Sequence, residues 1–227
     1  MQVLDLARMA DDCYTDANST AMLGPWVRQD KPKKTENFFA CAYKSSASLA
    51  SVVVAFRGSD DWKDAVVEDL GGIGLSLNAF AMHLNEAIDY AAQWQMSARN
   101  LWLTGHSLGG AYVQLVGAIL KVPGVSFNAP GVLNLLNQMS DNPVRALIGG
   151  IGGGVLDALT LGRVSWLNRA ASGREAKAPI VNLRGEWDPV SKVGTHVGRR
   201  VETIPVPTLK PHPHSMLPLI AALGQRS

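Results

Sequence analysis

The sequence predicts an α/β protein, with a largely parallel central sheet flanked by helices and an inserted apolar helical cap. Short β-branched or aromatic runs alternate with longer stretches of helical periodicity. One such run, Leu101 to Thr104, leads through Gly105-His106-Ser107-Leu108-Gly109 into the apolar stretch Gly110 to Leu120. A third observation is the segment 131–173, which is longer and more leucine- and glycine-rich than a plain crossover between strands requires.

The elements follow in chain order. Leu6, Ala10, Cys13, Tyr14 and Ala17 recur at helical spacing, so the first segment reads as an amphipathic helix ending before Gly24-Pro25. "FFACAY" and "SVVVAFRG" read as a hairpin whose second strand is buried, followed by a polar turn at Gly58-Ser59-Asp60-Asp61. From Asn78 to Met96 the positions Phe80, Ala87, Ile88, Ala91 and Trp94 form one helical stripe, which leads to "LWLT" as a buried strand. "VSFNAPG", "PIVNLRGEWDPV" and "VETIPV" are three further strands. Between the first two of these lies 131–173, with Leu135, Leu136, Met139, Leu156 and Leu159 around a "GGIGGG" cluster; it reads as the cap, against the alternative of a long crossover helix pair packed on the sheet. No strand-turn-helix frame surrounds those glycines, so they are not a dinucleotide site.

Bulk properties exclude several classes. A chain of 227 residues, 47% hydrophobic and 7% aromatic, suits a single domain with a buried core. Its net charge of +2 supplies no basic field for nucleic acid, and Lys31-Pro32-Lys33-Lys34 reads as a solvated loop. Cys13 and Cys41 lack metal-ligand spacing, and a bridge between them is not expected. No metal or cofactor is implied. The opening "MQVLDLARMADDC" is interrupted by Asp5 and Arg8, so it reads as neither a secretory signal nor a membrane span. Cytoplasmic synthesis is the default expectation, and export would use a route that reads no N-terminal signal.

Ser107 is the candidate nucleophile. A serine hydroxyl reached by a base on one side and a carbonyl on the other must stand on a sharp turn, and strand-Gly105-x-Ser107-x-Gly109-helix supplies one. The glycines remove side chains where strand and helix cross. The start of the helix aims the Leu108 N–H, backed by the helix dipole, at the place a tetrahedral oxyanion would occupy. A second donor is expected where the strand "VVVAF" ends, at Gly58-Ser59. Arg57 is expected to anchor that loop through Asp60, Asp64 or Asp69.

"VVVAFRGS", "DWKDAVVEDL", "LTGHSLGGAYVQLV", "SFNAPG" and "NLRGEWDPVSKVGTHVGRR" occur in the order and spacing of the class 3 lipases, which the chain resembles over nearly its whole length. The resemblance implies the α/β-hydrolase fold, ester hydrolysis on lipids, a Ser-Asp-His triad, and oxyanion donors at Ser59 and Leu108. In that fold the carboxylate and then the histidine follow the nucleophile. Asp188, at a strand-end turn before Pro189, is the expected acid, ahead of Asp157 inside the cap and Glu186 before the turn. His196, His212 and His214 all follow it. The family's catalytic histidine stands just before a C-terminal apolar helix, which favours His214 in "PHPHSMLPLIAAL", whereas His196 in "GTHVGRR" resembles an earlier non-catalytic one. The expected partner is a lipid or other ester, met through transient contact with a membrane or lipid interface. The competing reading is a catalytically silent lipase-like binding module, since fold does not determine function.

Overall fold

Leu6, Ala7, Met9 and Ala10 are buried along one stripe of the first helix, α1 (Val3–Asp12). The helix stops well short of Gly24. Residues 22–28 instead form a tight hairpin of β1 (Met22–Leu23) and β2 (Trp26–Arg28), with Gly24 at φ 62° in its two-residue turn. Arg28 of this hairpin explains the stop. Its enclosed guanidinium donates from Nη1 to the Asp12 carbonyl oxygen at 3.2 Å, to Asp12 Oδ2 at 3.2 Å and to Thr15 Oγ1 at 2.8 Å, so a cation satisfies the helix end.

The computed structural model describes residues 1–15, 22–29, 32–35, 38–47, 51–58, 77–133, 178–206 and 213–226. After β2 come β3 (Lys33–Lys34), β4 (Phe39–Ser45) and β5 (Ser51–Phe56). The lysine run is therefore not wholly loop, because Lys33 and Lys34 pair with Ala40 and Phe39 at the sheet margin. The helix α2 (Leu77–Ser97), the strand β6 (Asn100–His106), the helix α3 (Leu108–Leu120) and the strand β7 (Gly124–Phe127) complete the first half. Then come β8 (Ile180–Gly185), β9 (Arg200–Ile204) and α4 (Met216–Gly224). Among the described residues the strands form one sheet in the order β1-β2-β4-β5-β6-β7-β8-β9, with β3 beside β4. It is antiparallel up to β5 and parallel from β5 to β9.

Side-chain alternation along β5 divides the core. Val52, Val54 and Phe56 face α2 and α3, where Leu84, Ile88, Ala91, Val113 and Val116 pack. Val53 and Ala55 face α1 and α4, meeting Leu6, Met9, Ala10, Met216 and Leu219. The result is a three-layer sandwich in which strands β5 to β8 are covered on both faces. The Cys13 and Cys41 thiols lie buried and free in the second layer, with their sulfurs 3.4 Å apart. Burial pushes the Cys13 thiol well above its ordinary pKa. Of the expected cap, only 131–133 are described, and they are tied by Gly131 N–H to the Val193 carbonyl and by Leu133 N–H to the Thr195 carbonyl. The rest of 131–173 lies outside the described residues.

Candidate active site

The turn between β6 and α3 holds Ser107 at φ 57°, ψ −127°. An L-residue takes up such a conformation only under constraint, at a cost of about 1–3 kcal/mol. The constraint is visible in the backbone bonds. The Ser107 N–H donates to the Phe127 carbonyl on β7 at 3.0 Å, and its carbonyl accepts from the Gly110 N–H at 3.0 Å and the Ala111 N–H at 3.3 Å. A Cβ on Gly109 would strike the Phe56 carbonyl oxygen, and one on Gly105 would come within 2.6 Å of the Gly109 carbonyl. Only glycine allows strand and helix to cross this closely. Ser107 Oγ is buried and has no hydrogen-bond partner among the described residues. Leu108 is the first residue of α3, so its N–H has no acceptor within the helix.

On the opposite side stand Asp188 and His214, both buried. His214 Nδ1–H donates to Asp188 Oδ1 at 2.8 Å. The other carboxylate oxygen accepts the Ser191 N–H at 2.8 Å, which holds the group at the turn after β8. This geometry leaves His214 with Nε2 as its basic nitrogen. His214 precedes α4, whose Ser215 N-cap accepts from the Leu217 N–H. Its ring centroid lies 4.5 Å from that of His106, the neighbour of Ser107. The structure thus pairs Asp188 with His214 and sets the His214 ring against that of His106, the residue before Ser107.

The remaining candidates are elsewhere. His196 donates from Nε2 to the Ala129 carbonyl at 2.9 Å, and burial lowers its pKa. Glu186 is exposed, one turn away from the buried Asp188. Ser59, His212 and Asp157 lie outside the described residues, as do Asp60, Asp64 and Asp69. The Arg57 guanidinium sits over the Phe39 ring, 5.1 Å from its centroid.

A family model for the Tle-like phospholipase domain matches residues 5–146, which include most of α1, the whole of β5 and the whole Ser107 elbow. The chain belongs to the Tle-like phospholipase domain family. It is accordingly lipase-like, with the α/β-hydrolase fold that its strand order and the class 3 lipase motifs imply. The "Putative lipase ATG15" of Mycosarcoma maydis is 33% identical to this phospholipase-like chain over 109 residues, covering 48% of this chain and 20% of the relative. The protein of the same name from Debaryomyces hansenii is 57% identical over 35 residues, 15% of this chain and 6% of the relative. The chain thus spans a fifth or less of the length of these curated relatives. Among solved structures, the lipase of Rhizopus microsporus var. chinensis has a TM-score of 0.52 at 15% identity, covering 83% of this chain and 67% of that one. Lipase II of Rhizopus niveus has a TM-score of 0.51 at 13% identity, covering 83% and 72%. These two likenesses concern the fold.

Two site neighbours carry little signal in the sequence. Tyr14 read as part of a helical stripe, yet its hydroxyl lies 3.0 Å from His106 Nδ1 and accepts the Gly58 N–H at 3.1 Å. Asn128 read as part of a strand-end turn. It stands at φ 46°, accepts the Gly185 N–H on Oδ1 at 2.8 Å and donates from Nδ2 to the His214 carbonyl at 3.4 Å. An Asn after a buried strand, just before Ala129-Pro130, is the one signal that could have marked a left-handed position.

Proposed function

We propose that this phospholipase-like chain hydrolyses carboxylic esters of lipids through an acyl-enzyme on Ser107. The observation that carries the reading is a serine held in strained backbone, its buried hydroxyl unpartnered among the described residues, together with a buried Asp188–His214 pair whose imidazole lies against His106, the residue before that serine. In this reading His214 Nε2 takes the proton of Ser107 Oγ as the oxygen attacks the ester carbonyl. The oxyanion is met by the Leu108 N–H at the positive end of α3 and by Ser59. Collapse of the tetrahedral intermediate breaks the bond to the alcohol, which receives the proton from His214. Water then repeats the sequence to release the acid. Asp188 fixes the imidazole tautomer and stabilises the imidazolium without taking its proton.

The apolar segment 131–173 fits acyl chains better than small hydrophilic esters, and contact with a lipid interface is part of the proposal. Triglyceride emulsion, phospholipid vesicles and a dissolved short-chain ester are the substrates to compare. The protein should hydrolyse at least one of them, and Ser107→Ala should lower kcat by about 10⁴-fold or more while remaining folded. A protein that binds vesicles and releases no fatty acid would instead be a lipase-like binding module.

A further inference from the structure

We infer that Tyr14 and His106 are positioning residues that hold the base His214 in register with the oxyanion side of the elbow. The inference rests on the function proposed above.

The two ends of the hydrogen-bond chain determine its direction. The Gly58 N–H can only donate, and the His214 carbonyl can only accept. Gly58 donates to Tyr14 Oη at 3.1 Å, and since the His214 carbonyl must accept from His106 Nε2, a neutral His106 accepts the Tyr14 hydroxyl proton on Nδ1 at 3.0 Å. Nδ1 is then an acceptor, which places the His106 proton on Nε2. From there it is donated to the His214 carbonyl oxygen at 2.7 Å. With a neutral imidazole, His106 accepts on Nδ1 and donates from Nε2. Burial, and then the neighbouring His214, push the His106 pKa down to about 3, so it stays neutral while His214 gains and loses its proton.

The chain joins three segments that the fold alone brings close. Gly58 lies two residues past the end of β5 and precedes Ser59; His106 precedes Ser107; His214 is the proposed base. Space at the junction is already filled, since a Cβ on Gly58 would meet the Tyr14 hydroxyl, the His106 carbonyl oxygen and, at 3.0 Å, Ser107 Cβ. Asn128 Nδ2 is a second, longer donor to the same His214 carbonyl, so the His106 bond is the tighter restraint. Loss of that restraint lets the His214 loop shift relative to Ser107. A displacement of about 1 Å in a reacting pair can cost about 100-fold in rate.

The test measures kcat and KM on a dissolved ester, per site titrated with a serine-reactive phosphonate, for Tyr14→Phe, His106→Leu and His106→Gln. Leu supplies neither bond, whereas a Gln amide keeps an N–H donor within reach of the His214 carbonyl. We expect kcat to fall about tenfold in Tyr14→Phe and about 100-fold in His106→Leu, with KM within about twofold. His106→Gln should recover about tenfold of the Leu loss. A purely structural role would lower the urea midpoint, leave kcat per titrated site unchanged and show no difference between Gln and Leu, and that result would overturn the inference. If Tyr14→Phe does not fold, the His106 pair decides. Wild-type turnover in Ser107→Ala would instead overturn the proposed function itself, so the two failures are distinct.

Discussion

Five consecutive residues, Gly105 to Gly109, contain most of what shapes the Ser107 elbow, whereas the carbonyl of His214 is held by groups 86 and 108 positions away in the chain. The elbow is a local conformational problem. Glycines at two set positions relieve a crossing, and the cost of the strained Ser107 is met by the β7 and α3 backbone around it. The base side is a problem of assembly. Asp188 arrives at the end of β8, His214 before α4, and neither is near the other until the sheet has formed. The chemistry of the proposed reaction is thus encoded in two ways, one visible over five letters and one spread over the fold.

Exchanging polar groups on the base side should produce the largest effect. Asp188→Asn keeps the shape but offers His214 a donor where it needs an acceptor, and kcat should fall about 10⁴-fold with little change in KM. His196→Ala should retain most activity, since its imidazole bonds the Ala129 carbonyl and not the Asp188 carboxylate. Steady-state kinetics of both variants would check this contrast, and a dead His196→Ala with an active Asp188→Asn would reverse the assignment.

This division explains what the sequence disclosed. The strand-turn-helix frame of Ser107, the largely parallel character of the sheet and Asp188 at a strand-end turn could all be read from periodicity, glycine placement and chain order. Periodicity could not stop α1 at Asp12, because the stop depends on Arg28 folding back from a hairpin onto the helix end. Nor could it set Tyr14 apart from the other members of its stripe. A hydroxyl that joins Gly58 to His106 is 44 positions from one and 92 from the other, and no short window contains both.

The next effect concerns stability across the same boundary. His106 has a folded pKa of about 3 against an ordinary 6.5, so between those values the unfolded chain binds a proton that the native state refuses. The contribution is full above pH 6.5 and is lost as pH falls toward 3, at up to about 1.4 kcal/mol per pH unit. Urea denaturation at pH 7, 6, 5 and 4 should therefore show a shallower decline for His106→Gln than for the wild type. Parallel curves would mean that His106 is not held neutral. On the elbow side, Ser107→Gly should abolish turnover yet raise stability by about 1 kcal/mol, because glycine accepts φ 57° without strain. A destabilised Ser107→Gly would show that the strain is not there to be relieved.

The central claim is that the elbow and the base side act on one oxygen, Ser107 Oγ. The most direct measurement is the rate of covalent labelling by a serine-reactive phosphonate, with the modified peptide located by mass spectrometry. The account predicts a single adduct on Ser107, absent in Ser107→Ala and formed at least about 100-fold more slowly in His214→Ala, where the nucleophile remains without its base. An adduct on another serine, or labelling of Ser107 at the wild-type rate in His214→Ala, would contradict it.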